Sequence, residues 1–439
     1  MQVQLIGHAT VLLKDKDFSF VCDPWLVGDY VNNCTVWQYP PREFGIEKLK
    51  KFKYIYISHD HEDHCNAQTL KKINKKTPIF ILKFKENRNL IRRLKEMKFT
   101  NVTEIDAWKK YRIDQDTSIT IFPSDQGFVD SSALIEYKGQ NIYHGNDCIL
   151  YPNTIKKISK LAKIDIAFMP YAGFSGFPSS YEFSYKLKKR LAEKKKREGL
   201  KSFYEAVKLL RPSKAVPAAG DLIIVGKGKA WINYFDRASP LEAIRKAPSK
   251  IKSRLIDMRP GDIFTKDKGI KKYRAVQKWK YNTKDQEKFY AQPHVKKEVE
   301  RYNNWILNLN INNINFNDLV IEFFKKALNK KIVNKLKNYK FQLISKNVER
   351  NLNIILLIDF GKKKITKLEK PTKKYTKKII IDPFVLCRII RHEILWGDAY
   401  CGLFMKLHRK PSNNYNLNFW RWFYGTDELK INYSKYFRK

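Results

Sequence analysis

The stretch that most constrains this chain is Ile57 to Asn66, "ISHDHEDHCN", which holds three histidines and three acids in ten positions. The residues before it, Tyr54 to Ile57, form an aromatic and β-branched run that predicts a buried strand. The ligand-type residues therefore begin where a strand emerges into a loop, the usual place for chemistry in α/β proteins. His59 and His61 are two apart, so on an extended strand end both rings face one side. Asp63 and His64 follow the turn and can meet a second ion from the other side. Imidazole and carboxylate suit Zn, Fe or Mn. A hydrophilic loop assembled by chance does not account for the pattern H-x-H-x-D-H directly after a buried strand.

Length and composition allow two or three globular domains: 439 residues, 43% hydrophobic, with 27 Phe, 24 Tyr and 9 Trp. The start, "MQVQLIGHATVLLK", lacks the basic opening and long apolar core of a signal peptide, and no apolar run reaches membrane-span length. A cytoplasmic protein is the expectation. The six cysteines, at 22, 34, 65, 148, 387 and 401, contain no C-x-x-C pair, which argues against a disulfide framework or a cysteine-type zinc ribbon. Lys plus Arg number 87 against 44 Asp plus Glu, a formal +43. Lys, Asn and Ile recur throughout, so composition bias is the plain explanation. The functional explanation is an anionic partner: a nucleotide-activated sugar, a nucleic acid or an anionic membrane face. The lysines are dispersed and no nucleic-acid-binding motif is present, so a small anionic substrate ranks above nucleic acid.

Residues 1–235 alternate short apolar strands with amphipathic helices, which predicts sheets covered by outer helices. Residues 236–285 are basic and poorly periodic and read as a connector, and residues 286–439 as a second α+β unit. In that unit "NYKFQLIS", "NIILLIDF" and "KKIIID" are strand candidates, an apolar helix is expected from Pro383 to Leu395, and "NYNLNFWRWFYG" is expected to pack.

H-x-H-x-D-H after a strand resembles the metallo-β-lactamase superfamily, which implies an α/β fold: an αββα sandwich with the metal site at the sheet edges. "IGHATVLL", "VCDPWLVG" and "ALIEYKGQNIYHGNDC" agree with it. More narrowly, "DPWLVG", "YISHDHEDH", "IEYKG", "NDC", "AGFSGFP" and "ILWGDAYCGLFMKLHRKPSNNY" resemble the metallo-β-lactamase-like portion of CMP-N-acetylneuraminate hydroxylases. Those proteins also carry a Rieske iron–sulfur domain, whose paired Cys-x-His and Cys-x-x-His ligands do not occur in this sequence. An oxygenase built on this chain is expected to take its electrons from a separate donor protein.

The resemblance implies further ligands. A third histidine for the first metal belongs in the loop before "SSALIEY", where this chain has "FPSDQGFVD". Asp125 is the expected substitute, with Gln126 and Asp130 as alternatives; such a site tilts towards iron or manganese. Asp147, in "HGNDC", matches the superfamily's bridging aspartate, although Asn146 stands where glycine is usual. Asp63, His64 and Asp147 then hold the second metal, whose last histidine is missing at "VPAAGD"; Asp221 or water fills in. His8, in "GHAT", is a candidate catalytic residue near the metal cleft or else a core histidine. Asp23, in "DPW", is expected to orient a metal-bound imidazole, or to be a turn residue before proline. His144 is expected to face away from the metals, and Cys65 and Cys148 to be inert thiols. The loop from 171 to 180, "YAGFSGFPSS", can cradle an anion with backbone amides and Ser175, with Tyr171 or Phe174 stacking on a base or sugar; otherwise it is a plain connector.

Three chemistries are compatible with this reading. The preferred one is a non-haem iron monooxygenase acting on a nucleotide-linked, CMP-sialic-acid-like or related sugar, with two divalent ions, iron before zinc. The next is a hydrolase of a phosphodiester, ester or lactone, with a metal-bound water whose pKa falls to about 7 and Asp63 orienting it; a nuclease is its nucleic-acid version. The third is a scaffold with a degraded site, against which the complete H-x-H-x-D-H argues.

Overall fold

The computed structural model describes residues 1–31, 34–42, 51–84, 88–126, 130–172, 175–225, 233, 237–280, 283–309, 314–347, 351–432 and 436. They fall into two compact units: Met1–Val31, Val36–Phe174 and Lys189–Ala291 in one, and Asn32–Thr35, Ser175–Lys188 and Gln292–Lys439 in the other.

The first unit is a two-sheet sandwich. One sheet runs, in spatial order, Gly269–Lys271, Ile263–Thr265, Gln2–Gly7, Thr10–Lys14, Ser19–Cys22, Tyr54–Tyr56, Ile79–Leu82 and Val102–Ile105. The other runs Lys214–Ala218, Ile166–Pro170, Gln140–His144, Ser131–Tyr137, Thr117–Pro123 and Lys110–Arg112. The period-two alternation of strands decides which residues meet. Leu5, Val11, Phe20, Tyr54 and Tyr56 of the first sheet pack against Ile119, Ile135, Ile142, Phe168 and Val216 of the second. Their neighbours Leu12, Val21, Ile55 and Ile79 face outward onto Leu70, Leu90 and Leu94 of the helices Ala67–Lys71 and Asn89–Glu96. The second sheet's outer face is covered by Ile155 and Ile158 of Pro152–Ile158 and by Phe203, Val207 and Leu210 of the long helix Tyr185–Leu210. This is the expected αββα arrangement.

The expected connector is not one. The strand Ile263–Thr265 pairs antiparallel with Gln2–Gly7, with Val3 opposite Phe264, and Gly269–Lys271 pairs with it in turn, so 236–285 supplies the edge of the first sheet. Its strands are three residues long, too short for a period to be read from sequence.

The second unit holds a five-stranded sheet in the order Lys364–Lys367, Leu352–Asp359, Lys340–Asn347, Lys377–Ile381 and Met405–Arg409. Phe341 meets Phe324 and Trp422, and Trp422 lies edge-on to Phe360 at 4.7 Å, so the aromatic C-terminal stretch is core, as expected. The segment from 175 to 188 also belongs to this unit, where Tyr181 bridges to Leu407. Among the described residues no helix is long and apolar enough to cross a membrane.

Candidate metal centre

The strand Tyr54–Tyr56 runs parallel to both neighbours, and the chain leaves its C-terminal end directly into the histidine-rich loop. Asp23, at the end of the adjacent strand, is fully buried and organises the loop. Its Oδ1 accepts from the Ser58 backbone N–H at 2.7 Å, and its Oδ2 accepts from Ser58 Oγ at 2.7 Å and from His64 Nδ1 at 2.8 Å. A proton on His64 Nδ1 leaves the Nε2 lone pair pointing away from Asp23. Ser58 Oγ, having donated to Asp23, accepts from His59 Nδ1 at 2.9 Å, which fixes His59 in the same tautomer. Ser131 Oγ donates to the Ser58 carbonyl at 2.7 Å and also meets Tyr56 Oη at 2.9 Å, tying the loop to the second sheet.

Three overlapping groups result. His59, His61 and Asp130 form one, with His59 Nε2 2.9 Å from His61 Nδ1 and 3.8 Å from Asp130 Oδ1. Two imidazole nitrogens on one tetrahedral ion sit about 3.4 Å apart, so these rings need little movement to share one. His8, Asp63 and His64 form a second, with His8 Nε2 3.2 Å and His64 Nε2 3.7 Å from Asp63 Oδ2. Asp147 reaches both: its Oδ1 is 3.9 Å from His59 Nε2 and its Oδ2 3.6 Å from His64 Nε2. Asn146, in a left-handed conformation (φ 39°), donates to the Ser131 carbonyl and accepts from the Asp147 N–H at 2.6 Å. Asn tolerates that backbone where most residues do not, which accounts for its replacing glycine.

The donor set fits cations. Among the described residues His8 Nδ1, His64 Nε2 and Asp147 Oδ1 are buried with no hydrogen-bond partner, and such groups are rare unless something else satisfies them. The electrostatics agree. Burial raises the Asp63 carboxyl, but His64 and His8 outweigh it and hold it far below the carboxylate range. Burial lowers His64, yet Asp147, Asp63 and Asp23 bring it up to about 10. Burial and the neighbouring His64 and His61 drive His59 well down. Burial and Asp147 raise Asp130 to about 7.

Several expectations need correction. Asp125 joins no group: its Oδ2 accepts from the Tyr151 N–H at 2.6 Å and its Oδ1 from Thr154 Oγ1 at 2.8 Å, at the start of Pro152–Ile158. Asp130, the weighed alternative, stands with the histidines instead. Asp221 also lies outside the three groups; it is buried, its carbonyl accepts from the Tyr39 N–H at 3.0 Å, and its charge acts on Tyr171. Tyr171 is core: its ring packs on Gly220, where a Cβ would lie 2.6 Å from the phenol oxygen. Ser175 Oγ makes long contacts of 3.4 Å with the Phe177 backbone, and Phe174 lies outside the described residues. His144 Nε2 faces the Ala9 carbonyl at 2.8 Å, and the thiols of Cys65 and Cys148 are buried. Ser58 and Ser131, which hold the ligand loop, carried no sequence signal beyond their place beside it.

Residues 2–219 match the model of the beta-lactamase superfamily domain. Over 96% of its length the chain is 25% identical to the cytidine monophosphate-N-acetylneuraminic acid hydroxylase of Xenopus laevis, covering 71% of that protein. It is 24% identical to the hydroxylase of the same name from Asterias rubens, again over 96% of this chain and 64% of that protein. Among solved structures, the metallo hydrolase Igni18 of Ignicoccus hospitalis is similar over 62% of this chain and 99% of its own, at 18% identity and a TM-score of 0.41.

Proposed function

We propose that this chain, whose residues 2–219 belong to the beta-lactamase superfamily, is a two-metal monooxygenase that hydroxylates a nucleotide-linked or related anionic sugar. The observation that carries the reading is Asp130 standing with His59 and His61 where the superfamily resemblance implies a third histidine. A carboxylate in that place favours iron over zinc. The likeness to two hydroxylases along nearly the whole chain supports the same reaction class.

In this reading His59, His61 and Asp130 would hold one ion and Asp63, His64 and His8 the other, with Asp147 in reach of both groups. Iron bound there supplies dioxygen activation, with two electrons from a separate donor protein and two protons completing the conversion of O2 to hydroxylated product and water. The chain's own residues keep the ligands in register. Asp23 fixes the His64 tautomer and Ser58 fixes His59. Ala219 N donates to the His8 carbonyl at 3.2 Å, so His8 lies beside the strand end where the missing histidine was expected. The net charge of +43 suits an anionic substrate.

The test is metal content per chain from cells replete in iron and zinc, followed by reductant-dependent O2 uptake and product mass with CMP-activated sialic acid. About two irons per chain, lost in the His59→Ala/His61→Ala variant, and a product heavier by one oxygen atom are expected. Zinc with hydrolysis of phosphodiester or lactone substrates overturns the oxygenase reading and selects the hydrolytic one.

A further inference from the structure

The second unit buries cations that the proposed chemistry does not use. Lys377 and Arg409 are direct cross-strand partners in the antiparallel pair Lys377–Ile381 and Met405–Arg409, so both side chains leave the same face. Lys377 is fully buried, and among the described residues its Nζ has no hydrogen-bond partner. It lies 3.9 Å from the centre of the Trp420 ring and 4.6 Å from that of Phe419. The Arg409 guanidinium sits 5.0 Å from the Tyr181 ring and 5.1 Å from Phe177, and its Nε donates to the Ser412 carbonyl. Among the described residues no carboxylate pairs with either cation; Glu182 is engaged by Lys378, which alternation places on the opposite face.

Two further groups around this face lack partners. Trp420 Nε1, on the ring against Lys377, and Tyr339 Oη are both buried and have no hydrogen-bond partner among the described residues. Tyr339 stacks on Phe419 at 5.1 Å, and the charge of Arg409 reaches its phenol. Ammonium, guanidinium and indole N–H can only donate, and the phenol can. Like charges directly opposite in a sheet destabilise it, and burying an ammonium is costly, which ring contacts offset only in part. Burial, aided by Arg409, drives Lys377 well towards its neutral form. That makes the buried amine tolerable but leaves the indole and phenol donors unexplained.

We propose that Lys377, Arg409, Trp420 Nε1 and Tyr339 Oη form a second, metal-independent site for a phosphate group, walled by the rings of Phe419, Tyr181 and Phe177. Phosphate oxygens supply the acceptors that Lys377 Nζ, Trp420 Nε1 and Tyr339 Oη lack among the described residues, and its charge offsets the facing cations. Of the four, only Arg409 is half-buried, which marks the side from which the anion arrives. The shared chemistry is the phosphate oxyanion, free or carried on a nucleoside whose base meets the rings.

The experiment is calorimetric titration of the full-length, metal-loaded chain with inorganic phosphate, a nucleoside monophosphate and the parent nucleoside. Both phosphates are expected to bind and the nucleoside at least tenfold more weakly than its monophosphate. Tighter binding of the monophosphate identifies a nucleotide as occupant, and equal binding identifies free phosphate. Lys377→Met and Arg409→Gln should each weaken phosphate binding tenfold or more, while His59→Ala/His61→Ala binds as the unaltered chain does. Arg409, at the edge of the cluster, keeps the test decisive should Lys377→Met not fold. Absence of binding in every arm overturns the site, as does binding lost with the histidines but indifferent to Arg409→Gln.

Discussion

Asp23→Asn isolates the group that sets the metal centre's geometry. The backbone N–H of Ser58 cannot rotate away or lose its proton, and it donates to Asp23 Oδ1 at 2.7 Å. In the variant the single amide oxygen is therefore held there, and the NH2 is turned towards Ser58 Oγ and His64 Nδ1, where Oδ2 accepted at 2.7 and 2.8 Å. Two donors cannot face one another, so the His64 proton must move to Nε2, the nitrogen that points at Asp63 and Asp147. Metal binding then requires either the reverse tautomer against a donor or an unsatisfied buried N–H, at about 1–3 kcal/mol. That is roughly a 10- to 100-fold loss of affinity, the range found when partners of metal-bound histidines are changed. The loss should be larger for the ion beside His64, which Asp23 meets directly, than for the ion beside His59, His61 and Asp130, which Asp23 reaches only through Ser58 Oγ. Competition with a graded series of chelators, with metal counted per chain, reads this out: one ion is lost early and the other is retained. Two ions held as tightly as in the unaltered chain would refute the tautomer argument.

Other expectations follow from the same contacts. Asp130→Ala should lower retention of the other ion, whereas Asp125→Ala should leave metal content alone and cost about 1 kcal/mol of stability, measured by urea unfolding, because its carboxylate serves the start of Pro152–Ile158. His64 in chelator-treated protein is raised to about 10 by Asp147, Asp63 and Asp23 against the cost of burial. A raised folded pKa gives stability that is fully present below the unfolded value of about 6.5 and is lost as pH rises through about 10. The melting temperature of stripped protein should therefore fall across that window, and metal-loaded protein should fall less. Cys65, buried and raised to about 11 chiefly by that burial, should resist iodoacetamide at pH 8 while the chain is folded and react once it is unfolded in urea.

The metal loop was legible because its signal is local. Strand, turn and ligands sit within ten residues, and H-x-H spacing needs only strand alternation to place both rings on one side. Asp23 was legible for a similar reason, since "DPW" ends a strand adjacent to the metal strand. Reading became harder once a ligand depended on the path of a loop. Asp125 and Asp130 are five residues apart in sequence and equal in chemistry, and Asp125 had a second use that no spacing announces: the helix after "HGNDC" begins beside it, and its carboxylate is taken by Tyr151 and Thr154. The same limit governed the fold. Tyr54 and Phe20 declare their faces by alternation, but Ile263–Thr265 is three residues long and becomes a strand only because Gln2–Gly7 offers it an edge.

His8 makes the point from the other side. As one histidine on a first strand it is equally a core residue or a site residue. The structure gives it a left-handed backbone at φ 48°, a buried Nδ1 with no hydrogen-bond partner among the described residues, and a carboxylate 3.2 Å from Nε2. A non-glycine residue in that conformation costs about 1–3 kcal/mol and persists where surroundings hold it. Next to it, the strand end that resemblance marks for a histidine reads "VPAAGD" and is joined to the His8 backbone. If His8 supplies the absent ligand, His8→Ala should lose the same ion as Asp23→Asn, and the double variant should lose little more than either alone. If His8 instead only steadies Asp63, His8→Gln should restore metal retention, because an amide can donate to that carboxylate yet binds iron poorly. Chelator competition on these variants separates the two roles without any turnover assay.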